Sequence, residues 1–85
     1  MSPSGARHVA IDLGAGSGRA LLGGINAAGF SLSEVHRFHY APRRVDGRLR
    51  WDVARLIDGI HAGLRLAWAA AARAGEPIAS IGVNS

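Results

Sequence analysis

The sequence predicts an α/β fold with the element order strand, strand, strand, helix, strand. An apolar run precedes a glycine-rich turn, an alternating segment follows it, and after Trp51 the apolar residues recur at spacings of three and four. The chain has 85 residues, of which 48% are apolar and 19% charged, a composition typical of a protein with a packed core. We therefore expect one ordered segment in residues 1–85.

The first two predicted strands flank the glycine-rich turn. The run HVAIDL, residues 8–13, is almost continuously apolar, which is typical of a strand covered on both faces. The run RALLGGI, residues 19–25, is also apolar, but Gly23 and Gly24 would each cost a helix interior about 1 kcal/mol relative to alanine. We therefore expect a strand, and not a helix, after the turn.

A third strand is predicted from Phe30 to Tyr40, after turn residues at Asn26 to Gly29. The second and third strands then form a β-hairpin. The large apolar residues of the third strand recur at even spacing, as on one strand face: Phe30, Leu32, Phe38 and Tyr40. Val35 falls outside this alternation, which indicates a β-bulge or a second covered face there.

The segment from Trp51 to Ala74 is predicted to be an amphipathic helix because of its apolar spacing. Its expected apolar face consists of Val53, Leu56, Ile57, Ile60, Leu64, Ala67, Trp68 and Ala71. Asp52 is the predicted N-cap, and Gly75 followed by Pro77 is expected to end the helix. A last strand is predicted from Ile78 to Val83.

The composition limits the kind of site that the chain can carry. The absence of cysteine excludes disulfides, thiolate metal sites and cysteine nucleophiles. All ten basic residues are arginines, and those from Arg43 to Arg50 flank a turn signal at Asp46 and Gly47. Because no stacking aromatic residues alternate with these charges, we expect a solvated loop and no nucleic-acid partner. No apolar run is long enough for a membrane span, so a cytoplasmic location is expected.

The residues AIDLGAGSGR, 10–19, could belong to several kinds of glycine-rich turn. A P-loop needs a lysine, which the chain lacks, and a serine-hydrolase elbow needs serine where Gly16 stands. An S-adenosylmethionine-dependent methyltransferase needs a helix after the turn and a next strand that ends in an acid, but the third predicted strand ends in His39 and Tyr40. The methyltransferase stays an alternative, while the predicted hairpin favours an ATP phosphate cradle.

The same residues suit phosphate binding in an actin-like ATPase or ribonuclease-H-like fold, where a hairpin follows an Asp-x-Gly turn. Glycines allow positive φ angles and close backbone approach, so that successive N–H groups face phosphate oxygens. The glycines concerned are Gly14, Gly16 and Gly18. Ser17 adds a hydroxyl donor and Arg19 a permanent cation. Asp12, at the end of the first strand, is the candidate ligand for Mg²⁺ and its bound water.

The stretch DLGAGSGR closely resembles the first phosphate motif of the FGGY carbohydrate kinases, and within them that of the rhamnulokinases, which typically read DLGASSGR. The stretches EVHRF, DGRLRWDV and SIGVNS also resemble rhamnulokinase sequences, in the same order. The resemblance implies that residues 1–85 form the N-terminal part of an actin-like kinase domain. Its implied ATP contacts are Ala15, Gly16, Ser17, Gly18 and Arg19. Two departures are that Gly16 replaces the usual serine and that Asn84 stands where many members have aspartate.

The implied reaction is transfer of the γ-phosphoryl group of ATP to L-rhamnulose, with Mg²⁺ as cofactor and a small-molecule sugar as partner. Because the family's sugar-binding loop and catalytic aspartate would lie after Ser85, residues 1–85 alone are expected to be inactive. A non-enzymatic sugar sensor of the same fold is a further alternative. Such regulators usually carry a DNA-binding helix-turn-helix before the fold, and only residues 1–7 precede the first predicted strand.

Each candidate residue also has a purely structural interpretation. The glycines could simply form a tight hairpin, Asp12 could be a strand-end turn residue, and Arg19 could pair with a surface carboxylate. Trp51 and Trp68 are expected to be packing anchors, with Trp51 at the edge of a sugar cleft as the alternative.

Overall fold

The described part of the chain forms a four-stranded sheet with one helix packed against it and a separate two-stranded hairpin. The computed structural model describes residues 6–26 and 29–85. The described elements, in chain order, are β1 (Arg7–Leu13), β2 (Ser17–Asn26), β3 (Gly29–His39), β4 (Arg43–Val45), β5 (Arg48–Arg50), α1 (Val53–Ala74) and β6 (Ile78–Asn84). The main sheet has the order β3-β2-β1-β6, in which β6 is parallel to β1 and the other pairs are antiparallel.

This architecture confirms the α/β class and the predicted order of three strands, helix and strand. The structure adds β4 and β5 between the third strand and the helix. The turn expected at Asn26 to Gly29 lies partly outside the described residues, since Ala27 and Ala28 are not among them. The actin-like assignment stays a prediction, because the described elements form only one sheet layer and one helix layer.

The arginine-rich segment between β3 and α1 is a regular hairpin and not an irregular loop. β4 and β5 pair antiparallel, beginning with Arg43 opposite Arg50. At the turn between them, Asp46 and Gly47 have positive φ angles of 52° and 75°, as the favoured two-residue hairpin turns require. All six residues of the two strands are exposed. The predicted solvation is confirmed, and the strands form because the Asp-Gly turn lets their backbones pair.

Val35 forms the β-bulge that the sequence indicated. Where β2 pairs with β3, Ala20 lies opposite His36, but its neighbour Leu21 lies opposite Glu34. Val35 is therefore the extra residue of β3. An extra residue reverses the faces on which the side chains beyond it lie.

This reversal divides the evenly spaced apolar residues of β3 into two groups. Phe38 and Tyr40 are on the side of α1 and are only 7% and 5% exposed. Phe30 and Leu32 lie on the opposite face and are 69% and 57% exposed. The expectation that all four residues share one face is wrong, because even spacing implies a shared face only where the register is continuous.

The helix α1 has the predicted caps. The carboxylate of Asp52 accepts a hydrogen bond from the N–H of Arg55 at 3.1 Å, as an N-cap residue does. Gly75 follows the helix with a left-handed φ of 70°, and its N–H donates to the carbonyl of Ala72 at 3.0 Å. Both predicted caps are therefore confirmed, and the helix begins at Val53, two residues after the start of the predicted segment.

Small residues form the centre of the helix face that meets the sheet. The buried residues of α1 are Gly59, Gly63, Ala67 and Ala71. A Cβ atom added to Gly59 would lie 2.2 Å from Cδ2 of Phe38, and one added to Gly63 would lie 2.7 Å from Cβ of Ala20. Glycine at both positions therefore lets the helix approach the sheet closely.

The core lies between this helix face and the first strands. Its buried cluster consists of Val9, Ile11, Ala20, Leu22 and Ala67. Several large residues of the predicted helix face lie at its margins, since Val53, Ile57 and Trp68 are 56%, 47% and 60% exposed. The predicted apolar face is thus confirmed only in part, and Trp68 is not a packing anchor. No helix in the described ranges has the length and apolar character that a membrane crossing needs.

Candidate functional site

The candidate site is the turn between β1 and β2, at residues 14–16. The N–H of Gly14 donates to the carbonyl of Ser17 at 2.8 Å, which closes the turn. None of Gly14, Gly16 and Gly18 has a φ angle between +20° and +160°. The positive φ angles that glycine allows are therefore not used at these three positions, and the hairpin closes with an ordinary backbone.

The structure gives the three glycines different steric roles. A Cβ atom on Gly18 would lie 2.4 Å from Cζ of Phe38, so this glycine makes room for a core aromatic ring. A Cβ atom on Gly14 would lie 3.3 Å from the carbonyl oxygen of Ser17, which is a tight approach within the turn. At Gly16 the nearest atom would be Cα of Ala41 at 3.8 Å, so a side chain fits there. The structure thus gives Gly18 a packing role against Phe38, and its approach to a phosphate stays a prediction.

The turn exposes hydrogen-bond donors that have no partner among residues 6–26 and 29–85. No acceptor among the described residues meets the backbone N–H of Ala15 or that of Gly16. The hydroxyl of Ser17 likewise has no hydrogen bond to any residue that the structure describes. Ala15 is exposed, and Gly16 and Ser17 are half-buried. Two amide donors and one hydroxyl donor at a hairpin tip form an arrangement that can bind an anion.

Tyr40 is a part of the site that the sequence did not predict. Its hydroxyl donates a hydrogen bond to the carbonyl of Gly14, and its backbone N–H donates to the carbonyl of Gly16 at 3.0 Å. The ring is buried between the rings of Phe38 and Trp51, with centroids 6.0 and 5.9 Å away. Two of the carbonyls in the turn are therefore held by one residue at the end of β3.

A cluster of charged and polar side chains lies at the ends of the strands beside the turn. Arg19 is directly opposite Asp12 in the β1–β2 pairing, and its Nη2 donates to Oδ2 of Asp12 at 2.8 Å. Nη1 of Arg19 is 4.0 Å from Oε1 of Glu34. The amide of Asn84 lies 3.4 Å from Oδ1 of Asp12, because β6 places Asn84 opposite Asp12. Arg19 thus pairs with a partly exposed carboxylate, and its contact with a phosphate stays a prediction.

The ion pair shifts the proton affinity of both partners. The hydrogen bond from Arg19 lowers the pKa of Asp12, although partial desolvation acts in the opposite direction. The hydrogen bond to Asp12 raises the pKa of Arg19 above its usual value. Both side chains are about two-fifths exposed, at 41% for Arg19 and 37% for Asp12. At neutral pH Asp12 and Arg19 are therefore both charged, close to the turn.

The residues present suit a hydrated Mg²⁺ better than a metal held by many protein ligands. Within residues 6–26 and 29–85 there is no group of three His, Asp or Glu side chains that could hold a metal ion. Asp12 is ionised and partly exposed, and Arg19 donates a hydrogen bond to its Oδ2 but not to its Oδ1. Mg²⁺ keeps several waters and needs few protein oxygens, which one such carboxylate can orient.

An apolar groove of about 480 Å³ opens beside the turn on the side of α1. It is lined by Leu13, Gly14, Ala15, Tyr40, Trp51, Leu56 and Ser85. Its volume is within the range of small-molecule sites. Trp51 is 55% exposed and contacts Tyr40 at the groove edge. It is thus a groove residue that packs on one side only.

Sequence reasoning found the residues of the turn but not those that come from elsewhere in the chain. The structure brings the predicted candidates together, from Asp12 through the turn to Arg19. It adds Tyr40 and Glu34, which a local motif does not reveal, and it places Asn84, noted in the sequence only as a departure from the family, beside Asp12. The one available signal was the aromatic residue at the end of the third strand.

The comparison with known proteins bears on this site. No family model matches the chain. A rhamnulokinase of Bacteroides thetaiotaomicron is 42% identical over 76 residues, which cover 89% of this chain and 15% of that protein. Rhamnulokinases of Lactiplantibacillus plantarum and Bacillus subtilis are 46% and 38% identical over 67% and 68% of the chain, and 12% of each relative.

The chain therefore spans only 12–15% of the length of these curated relatives. A match of 76 among 85 residues leaves nine residues outside it, so residues 10–76, which include the turn, lie within the similar region. Similarity of this extent, together with the motif and the hairpin that carries it, identifies the chain as a rhamnulokinase-like segment of the FGGY carbohydrate kinase family.

Proposed function

We propose that this chain supplies the ATP phosphate-binding turn of a kinase that phosphorylates L-rhamnulose to L-rhamnulose 1-phosphate. The observation that carries the proposal is the pair of backbone N–H groups at Ala15 and Gly16, which have no acceptor in the described part of the chain, beside the hydroxyl of Ser17. These donors lie inside the segment that is similar to rhamnulokinases. In the actin-like fold that we propose for the domain, such a turn faces the nucleotide.

Each residue of the turn has a defined part in this proposal. The N–H groups of Ala15 and Gly16 and the hydroxyl of Ser17 donate hydrogen bonds to phosphate oxygens. Gly14 and Gly18 keep the turn narrow, one within the turn and one against Phe38. Arg19 adds positive charge close to the phosphates.

Asp12 is the residue that would hold Mg²⁺, through water and the carboxylate oxygen that Arg19 does not engage. Bound Mg²⁺ would neutralise charge on the transferring phosphoryl group. The ion pair with Arg19 lowers the pKa of Asp12 and so keeps its carboxylate ionised, as a ligand of a hydrated cation must be. The cofactors proposed for the protein are accordingly ATP and Mg²⁺, the partner is a small-molecule sugar, and the cytoplasmic location stays a prediction.

The structure disfavours one alternative and leaves the other to experiment. A methyltransferase turn leads directly into a helix, whereas here the turn leads into β2, antiparallel to β1. A sugar sensor of the same fold would bind the sugar without ATP turnover. A measurement of sugar-dependent ATP turnover therefore distinguishes a sensor from a kinase.

The test is ATP turnover by the full-length gene product with Mg²⁺ and L-rhamnulose, compared with L-fuculose, xylulose and glycerol. We expect L-rhamnulose to be preferred and turnover to fall strongly in Asp12→Ala. The matched control is Asp58→Ala, which removes an exposed carboxylate of α1 and should leave turnover unchanged. Residues 1–85 alone are expected to be inactive.

The alternatives make different predictions in the same assay. Sugar binding without sugar-dependent ATP turnover would indicate a sensor. Binding of S-adenosylmethionine without ATP turnover would indicate a methyltransferase. Equal loss of activity in both aspartate variants would contradict the role given to Asp12.

A further inference from the structure

The buried ring of Tyr40 is placed to control the geometry of the glycine turn. Tyr40 is 5% exposed, and both of its polar groups that can donate a hydrogen bond engage carbonyls of the turn. The hydroxyl donates to Gly14 and the backbone N–H donates to Gly16. These contacts join the end of β3 to the tip of the β1–β2 hairpin.

The planarity of the peptide bond gives these contacts a consequence on the other side of the turn. No described peptide bond is cis, and in a trans peptide the C=O and the following N–H point in opposite directions. The carbonyl of Gly14 belongs to the same peptide as the N–H of Ala15. When Tyr40 holds that carbonyl, the N–H of Ala15 faces away from Tyr40. Ala15 is indeed exposed and its N–H has no acceptor among the residues that the structure describes.

We propose that Tyr40 is a positioning residue that fixes the peptide plane between Gly14 and Ala15 and so keeps the N–H of Ala15 directed at a polyphosphate. The inference rests on the proposed function, since it assigns a determinant to the same phosphate site. Tyr40 does not touch the phosphates. It acts through the carbonyl of Gly14, by preventing the peptide between Gly14 and Ala15 from rotating.

The Tyr40→Phe variant tests this inference, because it keeps the ring and removes only the hydroxyl that binds Gly14. The matched control is Ser33→Ala, which also removes a hydroxyl that donates to a backbone carbonyl, that of Leu22 at 3.4 Å, within the same sheet. Dissociation constants for ATP and for inorganic tripolyphosphate are measured on the full-length gene product. The KM for the sugar and the thermal midpoint are measured alongside.

We expect Tyr40→Phe to weaken ATP and tripolyphosphate binding about three- to tenfold, as loss of one hydrogen bond that orders a site implies. The KM for the sugar should not change. Ser33→Ala should change neither constant. If the two hydroxyls only stabilised the fold, both variants would have a lower thermal midpoint, and Tyr40→Phe would show no selective loss of polyphosphate binding.

Unchanged polyphosphate binding in Tyr40→Phe would overturn the inference, and so would equal weakening in Ser33→Ala. A wild-type protein that binds no tripolyphosphate would overturn it together with the phosphate role of the turn. A wild-type protein that binds tripolyphosphate but does not phosphorylate a sugar would refute only the kinase proposal. In that case the selective loss in Tyr40→Phe would still support the positioning role.

Discussion

The contact between Gly63 of α1 and Ala20 of β2 allows a quantitative test of the fold. A Cβ atom on Gly63 would lie 2.7 Å from Cβ of Ala20, well inside ordinary van der Waals contact. Gly63→Ala improves helix propensity by roughly 1 kcal/mol, but overpacking a buried contact costs about 1–3 kcal/mol. We therefore expect a net loss of stability of up to about 2 kcal/mol in this variant.

Moving the methyl group from the strand to the helix should restore the fit. Ala20→Gly alone should lower the free energy of unfolding by about 0.5–1 kcal/mol, because glycine is unfavourable in a strand, and by about 0.8 kcal/mol more, because a buried methyl group is lost. In the double variant Gly63→Ala/Ala20→Gly the clash is absent, so its stability should lie within about 1 kcal/mol of the wild type. The coupling energy between the two sites should then be about 1–3 kcal/mol, favouring the double variant.

The assay is urea unfolding of the four proteins, followed by the far-ultraviolet circular dichroism of the helix. Ala69→Gly, at an exposed position of α1, gives the helix-propensity effect without a sheet contact. Additive effects of the two substitutions, or a Gly63→Ala protein more stable than the wild type, would refute the packing derived for this interface.

Three further predictions concern the turn, the ion pair and the helix start. Gly16→Ser should be accommodated, because its Cβ meets Ala41 only at 3.8 Å, and should stabilise the protein by about 0.4–1 kcal/mol by reducing the conformational entropy of the unfolded chain. Gly18→Ser clashes with Phe38 and should lower the thermal midpoint. Equal midpoints of the two variants would contradict the different steric roles of Gly16 and Gly18. The pKa of Asp12 is lowered on folding, so its contribution to stability is present above the unfolded value of about 3.9 and is lost as the pH falls through the folded pKa. Acid titration of the unfolding midpoint should therefore show a smaller loss below about pH 4 in Asp12→Asn than in the wild type, and parallel curves would contradict this. Asp52→Ala removes the N-cap and should cost about 1 kcal/mol in thermal unfolding, whereas an unchanged midpoint would mean that the cap contributes nothing.

Local signals made much of the fold predictable. The sequence correctly predicts the caps of α1 at Asp52 and Gly75 and the turn at Asp46 and Gly47. Each of these features depends only on residues that are close together in the sequence. The bulge at Val35 was also indicated by a break in alternation. Short-range patterns succeed in these cases because the deciding interactions are themselves short-range.

Features that depend on close packing were not predictable in the same way. Hydropathy gives most weight to large residues, but the centre of the helix interface is formed by glycine and alanine. The decisive quantity there is the space that Phe38 and Ala20 occupy, which lies in other elements of the chain. Trp68 was assigned to the interface for its size and instead is 60% exposed.

The candidate site shows the same division between local and distant information. The motif identifies Asp12 to Arg19, and the direct opposition of these two residues follows from the hairpin. Tyr40 and Asn84 reach the site from 26 and 72 residues away from their partners, so only the sheet register brings them there. Register is set by the pairing of whole strands and cannot be read from one short motif.

The bulge at Val35 connects the fold to the proposed function. A one-residue change of register moves every following side chain to the other face of the sheet. Without the bulge, Phe38 would leave the space between Gly18 and Gly59, and Tyr40 would point away from the groove on the side of α1. The same extra residue that completes the core therefore also brings the Tyr40 hydroxyl to the turn. The position of the proposed phosphate site thus depends on a packing feature in the middle of β3.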